Sequence, residues 1–159
     1  MAETLSKSAR RVQAALEGHG LTLKVVELPD STRTAKEAAA AIGCSVAQIA
    51  KSVIFRATKT DRAVLVVASG TNRVSEKRVA ALLGEPLGKA DAAFVRAKTG
   101  FVIGGVSPVG HTQALPTFID EDLLQYEELW AAAGTPRAVF QLTPDDLVRM
   151  TGGRVVKVT

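Results

Sequence analysis

Apolar residues follow two different spacings along this chain. Leu5, Val12 and Leu16 recur at helical spacing and predict an amphipathic helix over residues 5–17, which two glycines end. Further helices are predicted where a capping residue precedes an apolar run. They cover residues 34–43, 45–51, 75–83, 91–97 and 143 onward, and the second of them is expected to run into Lys51.

Strands are predicted where apolar residues alternate with polar ones or form short runs between turn residues. Residues 53–57 and 63–68 flank a turn at residues 59–62, which indicates two paired strands. The remaining strands are predicted over residues 21–28, 101–103, 117–119, 128–132, 138–141 and 154–158. Helices and strands mix without regular alternation, so we expect one α+β domain over residues 1–159, built around a mixed sheet.

The composition is that of an ordinary globular protein, because 47% of the 159 residues are apolar and 23% are charged. The one cysteine, Cys44, cannot form an internal disulfide, and no apolar stretch is long enough to span a bilayer. Basic residues near the N-terminus are not followed by the apolar run of a signal peptide. We therefore expect a cytoplasmic protein without a membrane partner.

The formal net charge of +4 is compatible with an anionic partner, although the excess of 20 basic over 16 acidic residues is mild. Aromatic residues make up only 4% of the chain, so a platform for base stacking is not expected. Bound nucleic acid would be held mainly through its phosphates. Five basic residues could form a phosphate-facing surface or simply solvated faces: Arg10, Arg11, Arg73, Lys77 and Arg78.

Common catalytic machinery is absent from the sequence. Two histidines, His19 and His111, and the single cysteine lie far apart, without the spacing of zinc ligands. No serine lies in a Gly-x-Ser-x-Gly turn, and no glycine motif of the Walker or dinucleotide-binding type is present. We therefore expect neither a metal ion nor a cofactor.

A glycine-rich loop, Gly104 to Gly110, follows the predicted strand over residues 101–103. Glycines permit positive φ angles and let a ligand approach bare peptide groups, while Pro108 stiffens the loop. The loop N–H groups could polarise an ester carbonyl or hold a phosphate. A tight connection between strands explains the pattern equally well. His111 could contact a substrate or its water, or hydrogen-bond the loop backbone.

Lys51 begins an apolar strand segment, which is an unusual place for a charged side chain. It could hold a phosphate or a ribose oxygen as a point charge. Alternatively, its stem lies along apolar surface at the end of the preceding helix, where the ammonium complements the helix dipole. Residues 69–72 are predicted to form a turn or to line a pocket. The acidic groups at 120–122 and 145–146 are predicted to cap helices.

Four segments in order carry a resemblance to a known family: Thr34-Ala35 with Ala38-Ala39, Lys51 to Phe55, Gly104 to Pro108, and Leu115 to Thr117. In this combination the chain is similar to the YbaK/ProX family of aminoacyl-tRNA deacylases. It also resembles the editing domain that is inserted in bacterial prolyl-tRNA synthetases. The resemblance extends from about Thr34 to the C-terminus.

The resemblance implies a compact α+β fold with a mixed, mostly antiparallel, barrel-like sheet flanked by helices. It implies hydrolysis, in trans, of the ester of a mischarged small amino acid such as Ala or Cys on tRNA, most often tRNA(Pro). Lys51 matches the characteristic lysine of the family, and Gly104 to Pro108 match its Gly-x-x-x-Pro motif. Both are associated with activity and with binding of the aminoacyl-adenosine end.

On the basis of this resemblance, Lys51 and Gly104 are predicted to be catalytic. The residues predicted to bind substrate are Gly105, Val106, Ser107, Pro108 and His111. No metal or cofactor is implied, since some members rely on groups of the substrate in place of a protein base. The predicted partner is the 3′ acceptor end of an aminoacyl-tRNA, with prolyl-tRNA synthetase as a further candidate. The alternative is a non-catalytic module of the same fold that binds tRNA or a synthetase.

Overall fold

The computed structural model describes residues 5–159, which contain five α-helices, two short 3₁₀ helices and eight strands. The α-helices are α1 (Lys7–Gly18), α2 (Ala35–Ile42), α3 (Glu76–Leu83), α4 (Ala92–Thr99) and α5 (Pro144–Thr151). The 3₁₀ helices cover Val46–Gln48 and Glu121–Gln125. The strands are β1 (Val25–Glu27), β2 (Ile49–Ala57), β3 (Arg62–Ser69), β4 (Leu87–Lys89), β5 (Thr117–Asp120), β6 (Leu129–Ala132), β7 (Ala138–Leu142) and β8 (Arg154–Val156). None of the helices within residues 5–159 is long and apolar enough to cross a membrane.

Local capping explains where most of the α-helices begin and end. Thr34, Ser75, Asp91 and Thr143 each accept, through the side chain, a hydrogen bond from the backbone N–H three residues later. The same four helices, α2 to α5, each end at a glycine in the left-handed conformation. The predicted helices at these positions are confirmed.

The eight strands form one mixed sheet in the order β1-β7-β6-β2-β3-β5-β8, with β4 paired to β2 outside this path. The pairs β1–β7, β6–β7, β2–β3 and β2–β4 are antiparallel. The pairs β2–β6, β3–β5 and β5–β8 are parallel. The predicted α+β class with a mixed sheet is confirmed.

Strand β3 is buried on both faces. Its side chains point alternately to opposite faces of the sheet, and an apolar cluster covers each face. Leu65 and Val67 belong to the main core, which also contains the apolar face of α1. Val64 and Val66 belong to a smaller cluster with Val79 of α3. This double burial accounts for the continuous apolar run in the sequence of β3, since neither face of the strand meets solvent.

The register of the central strands brings distant polar residues to one end of the sheet. Lys51 of β2 pairs with Ala68 of β3, so it lies beside the end of β3 at Ser69. Strand β5 runs parallel to β3 and ends at Asp120. Because parallel strands end at the same edge of a sheet, Asp120 and the turn that follows Ser69 lie side by side.

Four elements differ from the sequence prediction. Residues 101–103 form no strand, because the chain turns there and leaves Val102 and Ile103 36% and 46% exposed. The strand predicted over residues 21–28 is confined to β1. The helix predicted over residues 45–51 is a 3₁₀ turn that ends at Gln48, so Lys51 lies inside β2. Strand β4 was not predicted.

Candidate active site

A cavity of about 370 Å³ opens between α2, β2 and the glycine-rich loop. Its lining within residues 5–159 is mostly apolar, and it contains two cations, Lys51 and Arg33, and no carboxylate. An apolar cavity with a few polar groups is typical of small-ligand sites. The lining residues are Thr32, Arg33, Thr34, Ala35, Ala38, Ile49, Ala50, Lys51, Ser52, Val53, Ile54, Ala90, Val95, Ile103, Gly104, Val106, Trp130, Ala131, Ala132 and Val139.

Lys51 lines this cavity and is half-buried, and together with Asn72 it also lines a second, more open cavity next to the turn after β3. Its Nζ donates a hydrogen bond of 2.6 Å to the backbone oxygen of Asn72. Burial lowers the pKa of Lys51 from its ordinary value, and the negative charge of Asp120 opposes that shift by raising it. The helix-dipole interpretation of this lysine is wrong, because the preceding 3₁₀ helix ends at Gln48 and the ammonium has a specific acceptor in another segment.

Asp120 is a buried carboxylate that holds the acceptor of Lys51 in place. Its Oδ2 accepts hydrogen bonds from the backbone N–H of Ser69 at 3.0 Å and from Asn72 Nδ2 at 2.8 Å. Its Oδ1 accepts from the backbone N–H of Asp122 at 2.9 Å, and this bond is the helix cap that the sequence predicted. The side chain of Asn72 is thus fixed by Asp120, and its carbonyl points at Lys51.

Gly104 lies in the cavity wall with a φ angle of +92°, a conformation that favours glycine. A Cβ atom there would lie 2.6 Å from Cγ of Arg33. The missing side chain of Gly104 therefore makes room for the stem of Arg33, which lies across the loop at the mouth of the cavity.

The rest of the predicted substrate-binding loop is divided between the cavity and the interior. Val106 lines the cavity, whereas Gly105, Ser107 and Pro108 are buried away from it. A Cβ atom at Gly105 would meet the backbone of Thr135 at 2.7–2.8 Å, so this glycine is required by packing. Contact of these three residues with a substrate stays a prediction.

His111 packs against the loop and does not line the cavity. Its Nε2 lies 2.7 Å from the backbone oxygen of Ser107, and its ring meets the ring of Phe101 edge-on. Burial lowers the pKa of His111, the hydrogen bond to Ser107 raises it, and the charge of Arg11 lowers it further. Of the two roles considered for His111, the hydrogen bond to the loop backbone is the one observed.

Sequence reasoning missed three groups that the structure brings to the site. Arg33 directly precedes the capping residue of α2, and only its position beside Thr34-Ala35 could have signalled it. Trp130, on β6, lines the cavity, although no sequence pattern distinguishes it from an ordinary core residue. The third is the contact between Asn72 and Asp120: residues 69–72 are predicted to form a turn or to line a pocket and Asp120 to cap a helix, and neither prediction joins the two side chains.

Two of the five basic residues considered for a phosphate-facing surface make contacts within the fold. Arg11 donates a hydrogen bond to the backbone oxygen of Thr99, and its guanidinium lies 4.7 Å from the ring centroid of Phe101. Arg78 donates to the backbone oxygen of Thr159. Both side chains are therefore engaged within the fold.

Two hydroxyl groups of cavity-lining residues are buried without a hydrogen-bond partner among residues 5–159. They are Thr32 Oγ1 and Ser52 Oγ. An unpaired buried polar group costs about 1–3 kcal/mol. The walls of the cavity are therefore not optimised for stability alone, which is common where a protein binds a ligand.

We predict that neutral His111 links stability to pH. The pKa of His111 is lowered in the fold, so below about pH 6.5 the unfolded chain binds more protons at this site than the folded chain does. The free energy of unfolding therefore decreases as the pH is lowered through this range. The variant His111→Gln lacks this contribution, and its melting temperature should fall less than that of the wild type between about pH 7.5 and about pH 5.

The exposed histidine offers a matched control for this measurement. His19→Gln removes a ring at the C-terminal cap of α1 and should follow the wild-type curve. If His111→Gln loses as much stability at low pH as the wild type does, the buried imidazole does not account for the pH dependence.

Residues 29–150 match the model of the aminoacyl-tRNA editing domain family. A solved structure described as a candidate trans-editing enzyme for prolyl-tRNA synthetase is 54% identical, with a TM-score of 0.92 over 98% of this chain and 99% of that one. The solved structure of a protein named APE2540 is 30% identical, with a TM-score of 0.86 over 93% of this chain and 98% of that one.

One relative carries a name that refers to a specific substrate. EbsC of Enterococcus faecalis (strain ATCC 700802 / V583), a candidate Cys-tRNA(Pro)/Cys-tRNA(Cys) deacylase, is 26% identical over 164 aligned residues, which span 100% of this chain and 98% of that protein. The family model covers most of the chain, and the match includes both Lys51 and the loop at Gly104. The chain therefore belongs to the aminoacyl-tRNA editing domain family and is a hydrolase of the YbaK-like type that acts on aminoacyl-tRNA.

Proposed function

We propose that this protein hydrolyses, in trans, the ester of a small mischarged amino acid on tRNA(Pro). The observation that carries the proposal is the cavity that joins Lys51 to Gly104, the two residues predicted to be catalytic. The names of two similar proteins, one a candidate trans-editing enzyme for prolyl-tRNA synthetase and one a candidate Cys-tRNA(Pro) deacylase, support this choice of tRNA.

The size and the lining of the cavity favour a small amino acid. A volume of about 370 Å³ lies at the lower end of the range for small-molecule sites, and alanine and valine side chains form much of the wall. A synthetase rejects a smaller amino acid poorly, because one missing methylene changes the binding free energy by only about 1–3 kcal/mol. A second site that admits the small residue supplies the missing discrimination.

The charge in the cavity suits the reaction of an ester with water. Attack of water on the ester carbon places negative charge on the carbonyl oxygen, and cleavage of the carbon–oxygen bond then releases the amino acid and the ribose hydroxyl of tRNA. The Lys51 ammonium, held by Asn72, provides a fixed positive charge beside this position. No carboxylate or imidazole lines the cavity within residues 5–159, so we assign the orientation of the water to a substrate group such as the vicinal ribose hydroxyl.

The same proposal places the protein in the cytoplasm, where mischarged tRNA is released from synthetases. Prolyl-tRNA synthetase is the candidate partner that would hand over its product. The cavity that would hold the aminoacyl ester is formed within one chain.

We predict that the purified protein deacylates at least one of Ala-, Cys- and Ser-tRNA(Pro) and spares Pro-tRNA(Pro). Lys51→Ala should reduce the single-turnover rate on the order of 100-fold, since it removes the charge beside the ester. Lys59→Ala removes the same charge from the exposed β2–β3 turn and is the matched control. Its rate should equal that of the wild type.

Circular dichroism would establish that both lysine variants are folded. A folded Lys51→Ala protein with the wild-type rate would remove Lys51 from the site. A wild-type protein that binds these tRNAs and hydrolyses none of them would instead indicate the non-catalytic module.

A second prediction compares the adjacent glycines of the loop. Gly105→Ala brings a Cβ against the Thr135 backbone and should destabilise the fold by about 1–3 kcal/mol. Gly104→Ala brings a Cβ to 2.6 Å from Cγ of Arg33, so the Arg33 side chain must shift, and the positive φ angle should cost about 1 kcal/mol. Because Gly104 lies in the cavity wall, its variant should lose about 10- to 100-fold in turnover per folded molecule.

Melting temperature and single-turnover rate should be measured on the same preparation of each glycine variant. If Gly104→Ala melts early and yet deacylates at the wild-type rate while folded, the loop serves only as a connection.

A further inference from the structure

Arg33 is a cation at the mouth of the cavity whose side chain has no ion-pair or hydrogen-bond partner among residues 5–159. Its side chain is exposed and lines the cavity beside Gly104. The described part of the chain contains two ion pairs, Arg56 with Asp61 and Arg62 with Glu85, and neither involves Arg33. The one hydrogen bond of Arg33 is made by its backbone N–H to the Ser31 hydroxyl, which leaves the guanidinium without an acceptor within residues 5–159.

The position of Arg33 is nevertheless defined. Its Cγ would lie 2.6 Å from a Cβ atom at Gly104, so the stem occupies the space that this glycine leaves open. The residue immediately after it, Thr34, caps α2 and fixes the direction in which the chain enters the helix. The guanidinium is thus attached to a stem that is held against the cavity wall, which lowers the entropy that is lost when it binds an anion.

The charges around Arg33 favour an anion. The cavity lining contains no carboxylate among the described residues, and its other cation, Lys51, is already engaged by the carbonyl of Asn72. A planar guanidinium presents a rigid fork of donors that matches a phosphate, whereas an ester is neutral and a protonated amino group repels it.

We propose that Arg33 binds the phosphate on the 5′ side of the terminal nucleotide of the substrate. This inference rests on the proposed function, in which the aminoacyl ester lies against Lys51 and Gly104. The phosphate is one ribose away from that ester, so it lies toward the cavity mouth when the ester is inside. Arg33 is then a substrate-binding residue that sets the depth at which the acceptor end enters.

In this proposal Gly104 has a second role beside its place in the cavity wall. Gly104 must lack a side chain for Arg33 to reach across the loop, so the two residues act together. A phosphate contact at Arg33 would couple binding of the acceptor end to the same loop that closes the cavity wall.

The test uses two non-hydrolysable inhibitors in which an amide replaces the ester. Both contain the aminoacyl group on the 3′ position of adenosine, and only one carries a 5′-phosphate. Their inhibition constants are measured against deacylation of the full mischarged tRNA. For the wild type, the phosphate should tighten inhibition about tenfold, as expected of a charge-assisted contact.

Arg33→Gln should abolish the gain from the 5′-phosphate and leave inhibition by the unphosphorylated compound unchanged. It should also lower kcat/KM on the tRNA about tenfold and reduce the slope of log(kcat/KM) against log(salt) by about one. Arg33→Lys should keep part of the gain, because a lysine still provides a point charge. Arg149→Gln removes an exposed arginine from the last turn of α5, outside the cavity lining, and should behave as the wild type.

Two results would overturn the assignment. The phosphate could tighten inhibition of Arg33→Gln as much as that of the wild type, or Arg33→Gln could weaken both inhibitors equally. The second result would place Arg33 at the aminoacyl group instead. Failure of the wild type to hydrolyse any mischarged tRNA is a different result, because it refutes the proposed function itself.

Discussion

The buried carboxylate of Asp120 ties together the segments that form one wall of the candidate site. Burial of a charge is costly unless hydrogen-bond donors surround it, and Asp120 meets this requirement with Ser69, Asn72 and Asp122. The donors come from the end of β3, from the turn after it and from the 3₁₀ helix that follows β5. The carboxylate therefore dictates how the turn after β3 is folded.

The position and charge of Lys51 depend on this arrangement. Asn72 is fixed through its side chain by Asp120, and its backbone oxygen accepts the hydrogen bond of the ammonium. Burial alone would favour the neutral amine, and the carboxylate of Asp120 opposes that effect. A cation thereby lines an apolar cavity whose wall also contains Gly104, the glycine that accommodates Arg33. The two cations differ in purpose, since Lys51 is fixed by the fold and Arg33 is left for an external anion.

Features that depend on neighbouring residues could be predicted from the sequence. Caps at Thr34, Ser75, Asp91 and Thr143 act over three residues, so the helices that they begin were found. Lys51 and the loop at Gly104 could be named because their segments resemble those of a known family, and the structure brings both to one cavity.

Features that depend on distant residues could not be predicted in the same way. The bond between Ser69 and Asp120 joins residues 51 positions apart, and a helix cap explained Asp120 without it. The apolar run at 101–103 was interpreted as a strand, although the local run of apolar residues cannot show that no neighbouring strand is available to pair with it. Arg33 could be identified only from the three-dimensional path of the loop, because the residues next to it in the sequence do not indicate that it packs on Gly104.

Asp120 raises the pKa of Lys51 against the effect of burial, and the pKa of Lys51 is the quantity to measure. NMR titration of the lysine side-chain signals, with Lys51 assigned from the spectrum of Lys51→Arg, would compare the wild type with Asp120→Asn and Asp122→Asn. Loss of the Asp120 charge should lower the pKa of Lys51, because burial is then opposed by less negative charge. Asp122→Asn, which changes an exposed acceptor of Asn72 Nδ2, should have the smaller effect. The same pKa for Lys51 in the wild type and in folded Asp120→Asn would contradict the account.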